Sequence, residues 1–80
     1  MATEVVRKRE AFQKNARERV EIWAEPYHGH DLVHARVFCQ DEHSEWHPTP
    51  KGLSLSPELA GQVARAMLEL ARSEGLEENP

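Results

Sequence analysis

Five histidines, one cysteine and fourteen carboxylates are the groups in this 80-residue chain that could do chemistry. His28, His30 and His34 come nearest to a metal-ligand spacing. Two imidazoles two positions apart on a turn can share zinc or copper, but a stable site needs a third ligand and the spacing fixes none. The plainer reading is a set of surface histidines. Cys39 is the one thiol; a nucleophilic cysteine needs a base held beside it, and no motif supplies one. No Gly-rich phosphate loop, paired-carboxylate signature or triad motif is present either. The expectation is a protein with no metal, no cofactor and no catalysis.

The elements that hold these groups follow from periodicity. From Arg19 the pattern has period two: Val20, Ile22 and Ala24 alternate with Glu21, Trp23 and Glu25, which predicts a strand with one buried face. Pro26 to Asp31 predicts a turn, with Gly29 available for a positive φ. A second strand is predicted from Leu32 to about Gln40, with Val33, Ala35, Val37 and Cys39 inward and His34, Arg36 and Phe38 outward. Asp41 to Ser44 is polar and reads as a loop. A short third strand, Glu45 to His47, stops at Pro48-Thr49-Pro50, and a fourth is predicted from Gly52 to Leu55. Ser56-Pro57-Glu58 is a helix start: a capping hydroxyl, a proline at the first helical position and an acid on the helix dipole. Leu59, Val63, Met67 and Leu70, flanked by Ala60, Ala64 and Ala71, then form a broad apolar stripe running to about Ser73, and Gly75 is a natural terminator.

Charge divides the chain unevenly. Residues 1–19 carry six basic and three acidic residues, a local +3; residues 20–56 carry two and six, a local −4; residues 57–80 carry two and five, a local −3. The expected organisation is a basic, partly disordered arm over 1–18 (a short helix or a flexible segment), a folded domain over 19–75 and an acidic tail over 76–80. A domain this small buries only about 60% of the surface its unfolded chain exposes. One cysteine cannot form a disulfide within the chain, so a second copy is the expected source of further apolar burial. The first residues lack the apolar core of a signal peptide, and no stretch approaches the roughly 18 apolar residues of a membrane span. A cytoplasmic protein without membrane contact is expected, nucleoid association being one form of this, and a free cysteine suits a reducing compartment.

The segment from Glu45 to Glu58, Glu-Trp-His-Pro-Thr-Pro-Lys-Gly-Leu-Ser-Leu-Ser-Pro-Glu, resembles the corresponding segment of the positive cofactor four family, transcription coactivators of eukaryotes with bacterial relatives. The likeness runs without a gap back to the strand at Val20 and covers about residues 19 to 67. It implies an α+β fold: a curved four-stranded antiparallel sheet followed by one C-terminal helix, paired into a homodimer through the helices. It implies single-stranded DNA, or RNA, as ligand, bound without sequence preference, and a transcription-machinery protein as partner. A role in transcription regulation, replication or repair follows from the same likeness.

Residues carry over one by one. Tyr27 stands where the family has an aromatic base-stacker, and His28 and His30 stand at lysine positions around a matching Gly29. Arg36 matches an arginine of the DNA face. Pro48, Lys51 and Gly52 match a proline, a lysine and a glycine, and His47 replaces a further lysine. Cys39 replaces a stacking tryptophan and Pro50 an arginine. Four family cations are thus weakened or lost at neutral pH, each lost phosphate contact removing about 0.7 from the salt slope. The histidines would charge the DNA face in mild acid. Trp23, outward on the same face as Arg36 and Phe38, either compensates by stacking a base or packs against the N-terminal segment or a partner; Trp46 reads as structural. The competing function is a protein-interaction module that keeps the dimeric fold and has weak or no nucleic-acid binding.

Overall fold

The computed structural model describes residues 9–73, in four strands and a helix: β1 (Arg9–Asn15), β2 (Glu18–Tyr27), β3 (His30–Gln40), β4 (Trp46–Leu55) and α1 (Pro57–Ser73). The strands form one antiparallel sheet in the order β1-β2-β3-β4. Four strands followed by one helix is the expected class. The terminator Gly75, the acidic tail and the first eight residues of the basic arm lie outside the described residues. No described helix is long and apolar enough to cross a membrane.

The central hairpin follows its alternation. β2 and β3 pair without interruption from Glu18↔Cys39 to Tyr27↔His30, so Val20, Ile22 and Ala24 share a face with Val37, Ala35 and Val33. Its turn is shorter than the sequence suggests. His28 and Gly29 alone connect the strands, with φ of 52° and 81°; two positive φ values match the twist of the strands they join.

Two elements differ from the sequence reading. Part of the basic arm, read as a flexible segment or short helix, is the edge strand β1, paired with β2 from Arg9↔Trp23 to Asn15↔Glu18. Each of its residues is exposed, so no apolar period marks it. The strands predicted at 45–47 and 52–55 are one continuous strand, β4. The register shifts between Arg36↔Gly52 and Phe38↔Pro48, leaving Thr49, Pro50 and Lys51 opposite Val37. Thr49 fills this bulge: its hydroxyl donates to the Val37 carbonyl at 2.8 Å and accepts the Lys51 amide at 3.2 Å. The two prolines are tolerated because β4 is an edge strand and bulged.

α1 begins as expected. Ser56 Oγ accepts the Leu59 amide at 3.2 Å and the Ser56 carbonyl accepts the Ala60 amide at 2.8 Å. Glu58 in the first turn and Arg72 in the last complement the dipole. Ala60, Val63 and Met67 face Ile22, Val33 and Leu55 across an apolar groove of about 150 Å³. No helical residue is buried. Among the described residues the two that are buried, Phe38 and Glu21, lie on the opposite face of the sheet, the first 9% and the second 4% exposed.

Candidate nucleic-acid interface

Register fixes what the face away from α1 presents. Arg19, Glu21 and Trp23 alternate outward on β2, opposite Phe38, Arg36 and His34 of β3. Beyond them, β4 contributes Trp46, Pro48, Gly52 and Ser54, and β1 contributes Arg9 opposite Trp23.

Aromatic contact joins three of these residues. The Trp23 indole stacks on His34 with centroids 5.1 Å apart and meets Phe38 edge-on at 6.2 Å. Its Nε1 donates to Glu25 at 2.7 Å, and His34 Nδ1 lies 2.8 Å from Ser54 Oγ. Arg9 covers the cluster: its guanidinium carbon is 4.2 Å from the Trp23 centroid and 5.7 Å from that of Phe38. Arg19 lies in the same way 4.2 Å over Trp46. Trp23 therefore packs against the N-terminal segment, one of the two alternatives its position left open.

Glu21 is the acidic centre of this face. It pairs with Arg9 at 2.8 Å and Arg19 at 2.6 Å. Burial raises its pKa, but the hydrogen bonds from Arg19 and Arg9 outweigh that and hold the carboxyl below its ordinary value.

Tyr27, His28 and His30 cluster at the β2–β3 turn. Tyr27 is 61% exposed, its ring 4.2 Å from that of His28, and His30 is its register partner. Arg36 reaches across the bulge to donate from Nη1 to the Thr49 carbonyl at 2.8 Å. Gly52 lies against it: a Cβ there would stand 2.6 Å from the Ala35 carbonyl oxygen and 3.1 Å from Arg36 Cα. Trp23, Tyr27, His30, Arg36, Pro48 and Gly52 are thus brought to one face.

Of the other three candidates, His28 sits in the turn itself, and His47 and Lys51 lie on the far side of the sheet. His47 is the register partner of Cys39, on the helix side of the sheet, and its Nε2 lies 2.6 Å from Asp41 Oδ2. Asp41 also accepts the Glu45 and His43 amides at Oδ1, and the Glu45 amide, His47 and the His43 amide keep its carboxyl below the usual range. Lys51 lines a shallow apolar groove with Val20, Val37 and Leu53, also on the helix side. Cys39, expected to be buried, is exposed because α1 packs at the other end of its strand. His28, His30 and His34 form no metal-ligand group; Asp41, Glu45 and His47 are the described acids and imidazole whose ligand atoms come within 4.8 Å of one another.

Sequence reasoning missed Arg9, Arg19 and Glu21. The period of two already placed Arg19, Glu21 and Trp23 on one face, but nothing in the sequence placed Arg9 over them.

A scan against protein-family models finds no match, and a search of curated proteins finds none. Solved structures do match. BPSL1147, a PC4 homologue from Burkholderia pseudomallei, is 33% identical over 79% of this chain and 85% of its own in one crystal form, with a TM-score of 0.72. A second crystal form gives 32% identity over 84% and 100%, with the same TM-score. The bacteriophage T5 homologue of the eukaryotic transcription coactivator PC4, implicated in recombination-dependent DNA replication, is 26% identical over 92% of this chain and 88% of its own, with a TM-score of 0.65. Being 33% identical to a bacterial PC4 homologue over 79% of its own length, the chain belongs to the PC4 (positive cofactor four) family in its bacterial form.

Proposed function

We propose that this chain acts as a homodimer that binds single-stranded DNA without sequence preference, as a coactivator-type regulator in the cytoplasm and without catalysis. The observation that carries the reading is the sheet face away from α1 in a PC4-family fold, where Tyr27 is exposed and the side chains of Arg9 and Arg19, themselves part-exposed, lie over Trp23 and Trp46. Exposed rings and guanidinium groups suit a flexible strand whose bases are splayed, while a duplex hides its bases. The phage relative's link to DNA replication supports a role of the same kind.

The dimer rests on the other face. Leu53, Leu59, Met67 and Leu70 are between 44% and 66% exposed along α1 and the strand beside it. A second α1 laid against this stripe would cover it.

Fluorescence anisotropy with labelled oligonucleotides at two salt concentrations tests the binding. Single strands should bind more tightly than duplex of the same length, with little dependence on base composition and an affinity that falls as salt rises. Equal or absent binding of both forms at low salt sinks the reading. It would favour a protein-interaction module, for which the local −4 of residues 20–56 is the supporting observation.

A further inference from the structure

Glu21 has the wrong sign for a surface that meets a polyanion, yet it is the most deeply buried polar group described. Its geometry accounts for it. Oε1 accepts from Arg9 at Nε and Nη2, each at 2.8 Å, and Oε2 accepts from Arg19 Nε at 2.6 Å. Each guanidinium then lies 4.2 Å over a different indole, Arg9 on Trp23 and Arg19 on Trp46. One carboxylate from β2 therefore holds two guanidinium groups that lie over indoles, one reaching in from β1 and one reaching out to β4.

The exposures complete the arrangement. The side chains of Arg9 and Arg19 are 48% and 30% exposed, against 6% for Glu21. The carboxylate is masked from an approaching phosphate, while both arginine side chains keep part of their surface in solvent. Two arginines and one glutamate leave a local charge of +1.

We infer that Arg9 and Arg19 are base-stacking residues of the nucleic-acid surface, each guanidinium backed by an indole and turned flat by Glu21 so that a nucleobase completes the sandwich. The inference rests on the proposed binding of single strands and deepens it by naming the stacking groups. Guanidinium planes stack on bases as aromatic rings do. A planar fork already fixed by a carboxylate and a ring has less freedom to lose when the base arrives. Glu21 is a positioning residue: it touches no nucleotide and acts through the two arginines.

The experiment compares wild type, Arg9→Lys and Glu21→Gln in titrations of a labelled oligodeoxythymidylate across a range of salt. Arg9→Lys keeps the charge and loses the plane, so binding should weaken by about fivefold or more with an unchanged salt slope. Glu21→Gln removes a negative charge from a polyanion-binding face, and by charge alone it should bind more tightly. As the positioning residue, its loss should weaken binding instead. Arg9 lies on an exposed edge strand, so Arg9→Lys remains decisive where Glu21→Gln fails to fold. An Arg9→Lys protein that binds as tightly as wild type, or a folded Glu21→Gln protein that binds more tightly, overturns the inference and leaves the function standing. Wild type that binds no oligonucleotide at low salt overturns both.

Discussion

On the sheet face away from α1, Phe38 and Glu21 are buried beneath rings and guanidinium groups supplied by the chain itself, whereas on the face toward α1, Leu53, Leu59, Met67 and Leu70 remain exposed. The polar-looking face is closed and the apolar one is open. Ordinary expectation puts the apolar face inside, and the inversion teaches where the missing burial has to come from. A face rich in Arg, Glu and Trp can satisfy itself because ion pairs and cation–π contacts are directional and short-ranged. A leucine stripe on a lone helix can be completed only by more apolar surface.

The strongest way to break this contrast is at its closed side. Phe38→Ala should cost about 3–5 kcal/mol, measured by denaturant unfolding, and the cost should not depend on protein concentration because Phe38 packs within its own chain. A loss near zero would show that the closed face contributes little.

Met67→Ala probes the open side. In a monomer, a residue 66% exposed should tolerate truncation within about 0.5 kcal/mol. Paired against a second α1 it should cost about 2–5 kcal/mol, and its melting temperature should rise with protein concentration. Light scattering of wild type at micromolar concentration gives the independent check: a monodisperse monomer sinks the pairing.

Gly52→Ala tests the edge the two faces share. The new methyl meets backbone at 2.6 Å, so the bulge of β4 must shift. The expected loss is about 1–3 kcal/mol, seen as a lower unfolding midpoint; an unchanged midpoint would show that the bulge yields freely.

Acid should loosen the closed face at Glu21, and by the least. The Glu21 carboxyl is held below its ordinary value of about 4.5, so its contribution is fully present above that value and is lost as pH falls below it toward the lower folded value. Glu21→Gln should remove that part of the decline, flattening the stability curve below about pH 4.5. Identical acid profiles for wild type and variant would discard the assignment.

How much of this was legible in the sequence depended on whether an element had an apolar period. β2 and β3 alternate apolar and polar residues, so Val20, Ile22, Val33 and Ala35 announced both strands and which residues share a face, and Ser56-Pro57 announced α1. β1 has no such mark because Arg9 to Asn15 is exposed throughout and is held by backbone pairing. β4 was split in the reading because Pro48 and Pro50 argue against a ladder, and only its place at the edge makes them harmless. Among the site residues, Trp23 and Arg36 lie on the outward side that alternation gave them, whereas Tyr27 and His30, read as part of the turn, end β2 and begin β3. His47 and Lys51 did not: His47 takes the helix side as register partner of Cys39, and Lys51 sits where the bulge sends the chain across.

The two-residue connection at His28 and Gly29 has a consequence in time. Every strand in this sheet pairs with its neighbour along the chain, and the longest ladder closes around a two-residue loop. Chains whose contacts are close in sequence fold fast, because little loop entropy is lost before contacts form. Stopped-flow refolding should therefore begin with a rapid phase, independent of concentration, in which the β2–β3 hairpin nucleates the sheet. Docking of helices between chains would come afterwards, as a slower step whose rate rises with concentration.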